Sequence, residues 1–542
     1  RWLAAETESD LLRRLLSQLG GEYRDVGCLD GRTGGELLAE WRNDPQRTAR
    51  IDAVPAWPTE QMTVEEHSQN LPPQLVGVRH LGAVSPLLAG WTFSTDAAGT
   101  KLVAFDQLGR HRWQMPTTST GVLQGRRGAS YIRYITTAGR YLLLVVEDQW
   151  TLVDVFGSAN APTVLGGKRL YAAEDSGSFI QNLPRLNQPG RNRNRTWTDP
   201  QGGVSPLGNV GPIAGGMFVY QSGSRLTAVS VSTGEELWTH DRPDLPPGGD
   251  IVSDEHCVVV WPTGSTELQL FRAVDGSEIG RRKLPRNVAL PQPEGYWGSS
   301  LVTVSRGIDG SLLELGLFDP LAQRHVWQRS LNDVTDWGVV DGREFYTLQK
   351  DGTLRILDHA TGADIVSLSL SDSAPEAVTV WGDADRWYAA TYVTPPDDRI
   401  ILESQLPQSP GVHGVVLAAS RATGKLEWRV PVQYQQLHRE LPGGWPMLVL
   451  ASQVHFPART EPERKSSRIW NMLLLEKSTG RVLYETTAGS GIERYGWTSN
   501  PEQHTIDLAA GAIKVSLQFD KPAPQPVEPP QPNPDGPSVP GM

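Results

Sequence analysis

An apolar strand, a glycine turn and a tryptophan follow one another in LTAVSVSTGEELW (Leu226–Trp238), and the same order recurs in VVLAASRATGKLEW (Val415–Trp428). The turn residues are Gly234 and Gly424, and three residues separate each of them from its tryptophan. Glycine admits the positive φ that a tight turn needs, and a tryptophan at the start of the next strand can bury a large flat surface. A unit that recurs at such long intervals predicts a repeat architecture.

Six further stretches keep this order with a looser turn or a different bulky residue. In five of them the turn residue and the residue at the tryptophan position are Gly109 and Trp113, Gly276 and Gly280, Gln323 and Trp327, Gly362 and Val366, and Gly480 and Tyr484. The sixth is Thr151–Gly157, where no tryptophan follows the turn. The turn residues from Gly234 onward lie 39 to 62 residues apart, and one propeller blade takes about 40 to 50 residues. The repeat therefore predicts an all-β propeller with eight blades, or seven as the alternative count.

One repeat shows all four strands that a blade needs. Its runs lie at Trp337–Val340, Glu344–Leu348, Thr353–Leu357 and Asp364–Leu368. The second and third runs are joined across Asp351-Gly352, a strong hairpin signal because both central turn residues adopt positive φ. We expect these runs to form one antiparallel sheet.

The motif resembles that of the quinoprotein-type propellers, the family named for pyrroloquinoline quinone (PQQ) dehydrogenases. The likeness covers about residues 71–520. At three copies the position of the family's tryptophan is occupied by another residue, namely Gly280, Val366 or Tyr484. It implies an eight-bladed PQQ-like propeller with a docking residue between neighbouring blades. It implies little about activity, because many members are non-enzymatic scaffolds, including the propeller lipoprotein of the bacterial outer-membrane β-barrel assembly machinery. The expected docking residues are Gly109, Trp113, Gly234, Trp238, Gly276, Trp327, Gly362, Gly424, Trp428, Gly480 and Tyr484.

The quinone enzymes of this family imply a vicinal disulfide, a calcium ion and a catalytic Asp in the central funnel. The two cysteines of the chain, Cys28 and Cys257, are too far apart in sequence to form a vicinal pair. Acidic residues such as Asp383 and Asp385 lie in polar turns, and no His-Glu-x-x-His motif for zinc is present. We predict no catalytic residue, no metal site and no cofactor, and we keep an enzyme that uses the funnel as the alternative.

The charge balance narrows the class of partner. Lysine and arginine number 50 against 61 aspartate and glutamate, a net charge of −11, which argues against nucleic-acid binding. A basic loop between the second and third blades is the exception, and it is a candidate for binding an acidic partner or a lipid headgroup, with peripheral membrane association in the second case. A solvated loop is the plainer interpretation. Its arginines are Arg185, Arg191, Arg193 and Arg195.

The two ends of the chain differ from its middle. Residues 1–20 read as an amphipathic helix with a leucine stripe, which either packs on the propeller or ends an upstream helical-repeat region, since the chain opens on Arg1. Residues 21–70 form a connector, within which Trp57–Glu66 is expected to supply an outer strand for ring closure beside Ile513–Phe519. Residues 521–542 read as an extended proline-rich tail.

The pattern as a whole predicts a non-enzymatic scaffold whose rim loops bind other proteins. A sensor or recognition module of a larger helical-repeat protein is a further alternative, and it shares the fold. The longest apolar run, Tyr141–Val146, is far shorter than a transmembrane helix. The resemblance implies the bacterial cell envelope or periplasm, and composition leaves a cytoplasmic setting open.

Overall fold

The computed structural model describes most of the segment that the repeat covers. The chain divides into two units, Arg1–Trp57 and Pro58–Met542, and all of the sheets lie in the second. The described residues are 57, 61–66, 75–78, 84–96, 101–116, 132–146, 149–157, 162–170, 208–242, 244–245, 250–262, 265–284, 298–306, 312–340, 344–370, 375–394, 401–403, 410–439, 441–456, 467–489 and 495–520.

These residues form nine antiparallel sheets, which we number as blades 1 to 9. In sequence the first strand is β1 (Gln61–Glu66). Blade 1 contains β2 (Leu75–Gly77), β3 (Thr92–Asp96), β4 (Lys101–Phe105) and β5 (His111–Pro116); blade 2 contains β6 (Ile132–Ala138), β7 (Tyr141–Val146), β8 (Gln149–Asp154) and β9 (Thr163–Arg169). Blade 3 contains β10 (Gly208–Val210), β11 (Met217–Ser222), β12 (Arg225–Ser230) and β13 (Glu236–Asp241); blade 4 contains β14 (Asp250–Ser253), β15 (Cys257–Trp261), β16 (Glu267–Arg272) and β17 (Glu278–Lys283).

The later blades include the longest strands. Blade 5 contains β18 (Leu301–Arg306), β19 (Leu312–Asp319) and β20 (Arg324–Asn332); blade 6 contains β21 (Val334–Val340), β22 (Glu344–Gln349), β23 (Thr353–Asp358) and β24 (Asp364–Ser369). Blade 7 contains β25 (Ala377–Gly382), β26 (Arg386–Tyr392), β28 (Gly411–Ser420) and β29 (Leu426–Gln436); blade 8 contains β27 (Ile401–Glu403), β30 (Met447–Phe456), β31 (Ser467–Glu476) and β32 (Val482–Ala488). Blade 9 contains β33 (Tyr495–Asn500), β34 (Thr505–Ala510), β35 (Ile513–Asp520) and β1.

Blade 9 closes the ring with strands from both ends of the repeat segment. β1 pairs with β35 over its whole length, from Gln61 opposite Asp520 to Glu66 opposite Val515. The innermost strands β2 and β33 of blades 1 and 9 lie side by side. This arrangement confirms the expectation that the stretch ending at Glu66 supplies an outer strand for closure.

The predicted count of eight blades, and the alternative of seven, are wrong, because the structure has nine sheets. The motif marks the turn between the third and fourth strands of a blade, and its eight copies fall in blades 1 to 8. Blade 5 has three described strands, of which β19 and β20 correspond to the third and fourth strands of the other blades. Blade 9 has no such turn, since its fourth strand, β1, comes from the other end of the chain. The helical segment predicted at residues 1–20 lies outside the described residues, and in the described part the single helical element is a 3-10 turn at Pro86–Leu88. The fold described is all-β.

The direction of the strands places every copy of the motif on one face of the ring. Successive strands of a blade are antiparallel, so the turns between strands one and two and between strands three and four share a face, which we call the motif rim. Turns between strands two and three lie on the opposite rim. Gln61 and Asp520, where the chain enters β1 and leaves β35, lie opposite each other at the motif rim.

The hydrophobic core consists of layers between neighbouring blades. Between blades 6 and 7, for example, Ile356 and Val366 pack in one cluster with Val380 and Trp387. Blades 7 and 8 are also interlocked, since β27 lies between β26 and β28 in sequence yet pairs with β30. This exchange accounts for part of the longer spacing between the motif turns at Gly362 and Gly424.

Candidate functional site

The residue at the tryptophan position of the motif has the same local geometry in blades 1 to 8. In each of these blades the register between the third and fourth strands shifts immediately beside this residue, as a β-bulge does. Blade 2 also has the bulge, with Gly166 at the position, and the sequence search missed it because the preceding turn is longer. The eight residues are Trp113, Gly166, Trp238, Gly280, Trp327, Val366, Trp428 and Tyr484.

Three of the motif tryptophans donate a hydrogen bond to the next blade. Each indole N–H reaches a backbone carbonyl that directly follows the third strand of that blade, and each side chain is at most 9% exposed. The contact therefore combines burial of an apolar ring with a hydrogen bond from the indole N–H across the seam, by which we mean the boundary between two neighbouring blades. The pairs are Trp238 Nε1 to Ala273 O at 2.8 Å, Trp327 Nε1 to His359 O at 2.6 Å and Trp428 Nε1 to Lys477 O at 2.9 Å.

The turn glycines have a second function besides the turn itself. A Cβ on Gly480 would lie 2.6 Å from the Trp428 ring, and a Cβ on Gly276 would lie 2.6 Å from Trp238. Both glycines have positive φ, 72° and 68°. Gly276 and Gly480 are therefore each the seat of the tryptophan of the preceding blade, and a side chain there would meet both strain and a clash.

Two seams use other residues for this contact. In blade 2 the ring of Trp150, 3% exposed, lies beside Gly166 and packs edge-on against Phe218 of blade 3 at 4.9 Å. In blade 8 the Tyr484 hydroxyl donates to Glu66 Oε1 of β1 at 2.7 Å, and burial raises the pKa of Tyr484 to about 12. The tyrosine thus joins blade 8 to the strand that closes the ring.

Asp383 and Asp385, the acidic residues that the sequence places in a polar turn, have local structural contacts. The carboxylate of Asp383 accepts hydrogen bonds from the backbone N–H of Asp385, at 2.9 Å, and from the Tyr388 hydroxyl, at 2.7 Å. Both of its oxygens are thereby engaged within one turn. Within the described residues no group of three His, Cys, Asp or Glu side chains is placed to hold a metal ion.

Two other predictions from the sequence concern cysteine and the basic loop. Cys257 is buried with a free thiol, and burial raises its pKa to about 12. The arginines at 185, 191, 193 and 195 lie outside the described residues, so their candidate binding function stays a prediction. In the described part of the chain no helix has the length and apolar character to cross a membrane.

Exposed apolar side chains are concentrated on the motif rim. Of the eleven large apolar side chains that are exposed among the described residues, ten lie at that rim and Val393 lies at the opposite one. Nine of the ten are in a third-to-fourth turn or among the first three residues of a fourth strand, and Leu87 follows β2. We call these nine the apolar ring: Phe156, Val164, Leu237, Val274, Leu321, Val326, Ile365, Leu426 and Val482.

Comparison with known proteins gives likenesses to propellers and no family. No known protein family matches the sequence, and no curated relative is found. The structure of BamB from Moraxella catarrhalis matches with 13% identity over 61% of this chain and 97% of that chain, with a TM-score of 0.30. The WD40 domain of SCAP from fission yeast matches with 10% identity over 84% and 98%, with a TM-score of 0.35. Sqt1 from Saccharomyces cerevisiae matches with 9% identity over 77% and 100%, with a TM-score of 0.33.

Proposed function

We propose that this chain is a non-enzymatic propeller scaffold that binds other proteins through its motif rim. The observation that carries the proposal is the one-sided distribution of the exposed apolar side chains, because ten of the eleven among the described residues lie at the motif rim. Exposed apolar residues are normal when scattered singly over a surface, whereas their concentration on one side indicates an interaction surface. Val274 is 76% exposed and Leu237 is 55% exposed. Turns of the opposite rim are polar, such as Gly223-Ser224 and Lys350-Asp351-Gly352. The partner therefore contacts the rim at which the third-to-fourth turns lie.

The proposal excludes catalysis by a quinone and calcium in the funnel. Its support is the engagement of Asp383 in its own turn, together with the wide separation of the cysteines in sequence. Dye reduction with added quinone, calcium and an alcohol tests this part, and turnover above a heat-denatured control would refute it.

The setting in the bacterial cell envelope, and membership of the PQQ-like propellers, are further parts of the proposal. Their support is the order of strand, glycine turn and tryptophan in the repeat. Fractionation of the source cells into cytoplasm, periplasm and membrane tests the setting, and recovery in the cytoplasm alone would refute it.

Site-specific photo-crosslinking tests the rim assignment. A photoreactive amino acid is placed at position 274 or 321 on the motif rim, or at position 393 on the opposite rim as the matched control, in the full chain expressed in its own cells. We expect the same partner from both motif-rim positions and not from the control. Equal capture by both rims would refute the assignment.

The affinity of the captured partner provides the quantitative test. The double variant Val274→Glu, Leu321→Glu should bind at least about tenfold more weakly, because each change places a charge where about 1 kcal/mol or more of apolar contact is made. Val393→Glu should bind as the unchanged protein does. All three substitutions are at exposed side chains, so unchanged thermal melts serve as the folding control.

A further inference from the structure

A short segment of blade 8 crosses the closing blade and reaches blade 1. This closing strap, Leu441–Pro446, precedes β30. Its Gly443 N–H donates to Gly90 O at 2.9 Å, and its Gly444 N–H donates to Gln107 O at 2.8 Å. Both acceptors belong to motif-rim turns of blade 1, so the strap joins blade 8 to blade 1 across blade 9.

The two strap glycines permit this close approach. A Cβ on Gly443 would lie 2.7 Å from the Cα of Gly90, and a Cβ on Gly444 would lie 2.7 Å from the carbonyl oxygen of Gln107. Because the neighbouring atoms are main chain, they cannot rotate away as a flexible side chain would. An alanine at either glycine would therefore push the strap off blade 1.

The end of the strap is anchored in the closing blade by a tryptophan. Trp445 is 1% exposed and meets Trp497 of β33 edge-on at 5.1 Å, and Trp497 in turn packs on Phe105 of blade 1 at 4.4 Å. A Cβ on Gly109 would lie 2.9 Å from Trp445 Nε1. The strap tryptophan thus covers the turn glycine of blade 1, as motif tryptophans cover those of other blades.

A buried histidine lies directly upstream of the strap. The His438 ring stacks on the Tyr495 ring of β33 with centroids 3.8 Å apart and 10° between the planes. Its Nε2 lies 3.1 Å from Ala451 O, so Nε2 carries the proton, and buried Nδ1 has no hydrogen-bond partner. The ionisable side chains of the packed strands are Tyr495 in β33 and His455 in β30, and His438 is followed by Arg439 and Glu440. The strap also accepts a hydrogen bond from Lys477, whose Nζ donates to Gly443 O at 2.9 Å and whose pKa burial lowers to about 8.

We propose that the closing strap is an acid-released lock on the ring and that protonation of His438 opens it. A proton on Nδ1 would create a buried donor without an acceptor and a charge without a counterion, both of which are costly in an apolar seam. Movement of the imidazolium into water withdraws the ring from Tyr495 and pulls on the strap behind it. Blade 1 then loses both main-chain hydrogen bonds to the strap, and its turn glycine Gly109 loses the cover of Trp445. The inference is independent of the proposed binding function.

The direction and size of the pH effect follow from the proton uptake. Burial lowers the pKa of His438 from 6.5 to about 4, and an opened strap would return it to its ordinary value. Between these two values the open form binds a proton that the closed form does not, so opening becomes more favourable as the pH falls from 6.5 to 4. The ratio of open to closed strap should rise by up to about tenfold per pH unit, and by about 80-fold between pH 6.5 and pH 4.

Hydrogen exchange with mass spectrometry on the full chain tests the proposal. Exchange, corrected for the intrinsic effect of pH, is followed from pH 7 to pH 4 in peptides that cover the strap and β33, with the β22–β23 hairpin of blade 6 as the internal control. We expect the strap to lose protection on acidification while the hairpin keeps it. Constant strap protection, or one common transition for strap and hairpin, would overturn the proposal.

Two variants distinguish the contribution of the His438 side chain from that of the strap contacts. His438→Gln keeps a side-chain donor for Ala451 O but cannot titrate, so the acid response should disappear while protection at pH 7 is retained. Gly444→Ala leaves His438 unchanged and should open the strap already at pH 7, which keeps the test decisive if the histidine variant fails to fold. An unchanged acid response in His438→Gln, or full strap protection in Gly444→Ala, would contradict the proposal.

Discussion

Removal of one motif tryptophan tests the assignment of the seams. Trp428 is 8% exposed, donates to Lys477 O across the boundary between blades 7 and 8, and lies 6.2 Å from the ring of Tyr388. Trp428→Ala leaves a cavity between two sheets and removes the hydrogen-bond donor of the Lys477 carbonyl. Core substitutions of this size cost about 3 to 5 kcal/mol. Trp238→Ala at the seam between blades 3 and 4 should cost about the same, since its contacts are of the same kind.

The turn glycine opposite this tryptophan makes the test specific. Gly480→Ala should cost about 1 to 2 kcal/mol for a non-glycine residue at φ 72°. A further cost of about 1 to 3 kcal/mol comes from overpacking, because the new methyl group would meet the Trp428 ring at 2.6 Å. In the Trp428→Ala background the second cost disappears. The double variant should therefore be more stable than the sum of the single effects by about 1 to 3 kcal/mol.

The free energy of unfolding is measured in urea by circular dichroism for the unchanged protein, Trp428→Ala, Gly480→Ala and the double variant. Gly223→Ala is the matched control, since Gly223 has φ 58° and no atom lies within 4 Å of a Cβ built there. It should show only the cost of the backbone conformation. Strictly additive effects of Trp428→Ala and Gly480→Ala would refute the seat assigned to the glycine, and a near-neutral Trp428→Ala would refute docking itself.

Two further predictions follow from buried polar groups. Trp327→Phe should destabilise by about 1 kcal/mol more than Trp113→Phe, because the indole N–H of Trp327 donates to His359 O whereas that of Trp113 has no partner; urea midpoints that fall in the reverse order would contradict this. In a Cys28→Ser background the thiol of Cys257 should stay unreactive toward a disulfide reagent at pH 8 and react fully in denaturant, because burial raises its pKa to about 12. Rapid labelling of the native protein would show that β15 opens readily.

The repeat predicted the individual blades well because the determining interactions are local. The runs predicted at Glu344–Leu348 and Thr353–Leu357 are strands β22 (Glu344–Gln349) and β23 (Thr353–Asp358). Positive φ was expected at both Asp351 and Gly352, and only Gly352 has it, at 81°. Alternating apolar residues and a turn dipeptide are sufficient for such a hairpin. Neither requires information from distant parts of the chain.

The number of blades and the closure of the ring depend on contacts between distant residues. The pairing of Gln61 with Asp520 joins positions more than 450 residues apart; the two closing strands were predicted from the sequence, but the ninth blade that they complete was not. The strap contacts of Gly443 and Gly444 with blade 1 also join residues that are distant in sequence, and no local pattern indicates them. In blade 2 a longer turn places Gly166 at the bulge, so the fixed spacing that identified the other copies fails there.

The apolar ring could be read from the sequence only after the direction of each side chain was known. The residue before the motif position is the extra, unpaired residue of the bulge, and in blades 3, 5 and 6 its side chain points outward into solvent. In blade 1 this outward residue is Arg112, and the blade is intact. Since the fold accepts a charge there, it does not require the apolar Leu237, Val326 and Ile365 of blades 3, 5 and 6. Their apolar character is therefore explained better by contact with a partner than by folding, and the motif-rim crosslinks test that conclusion directly.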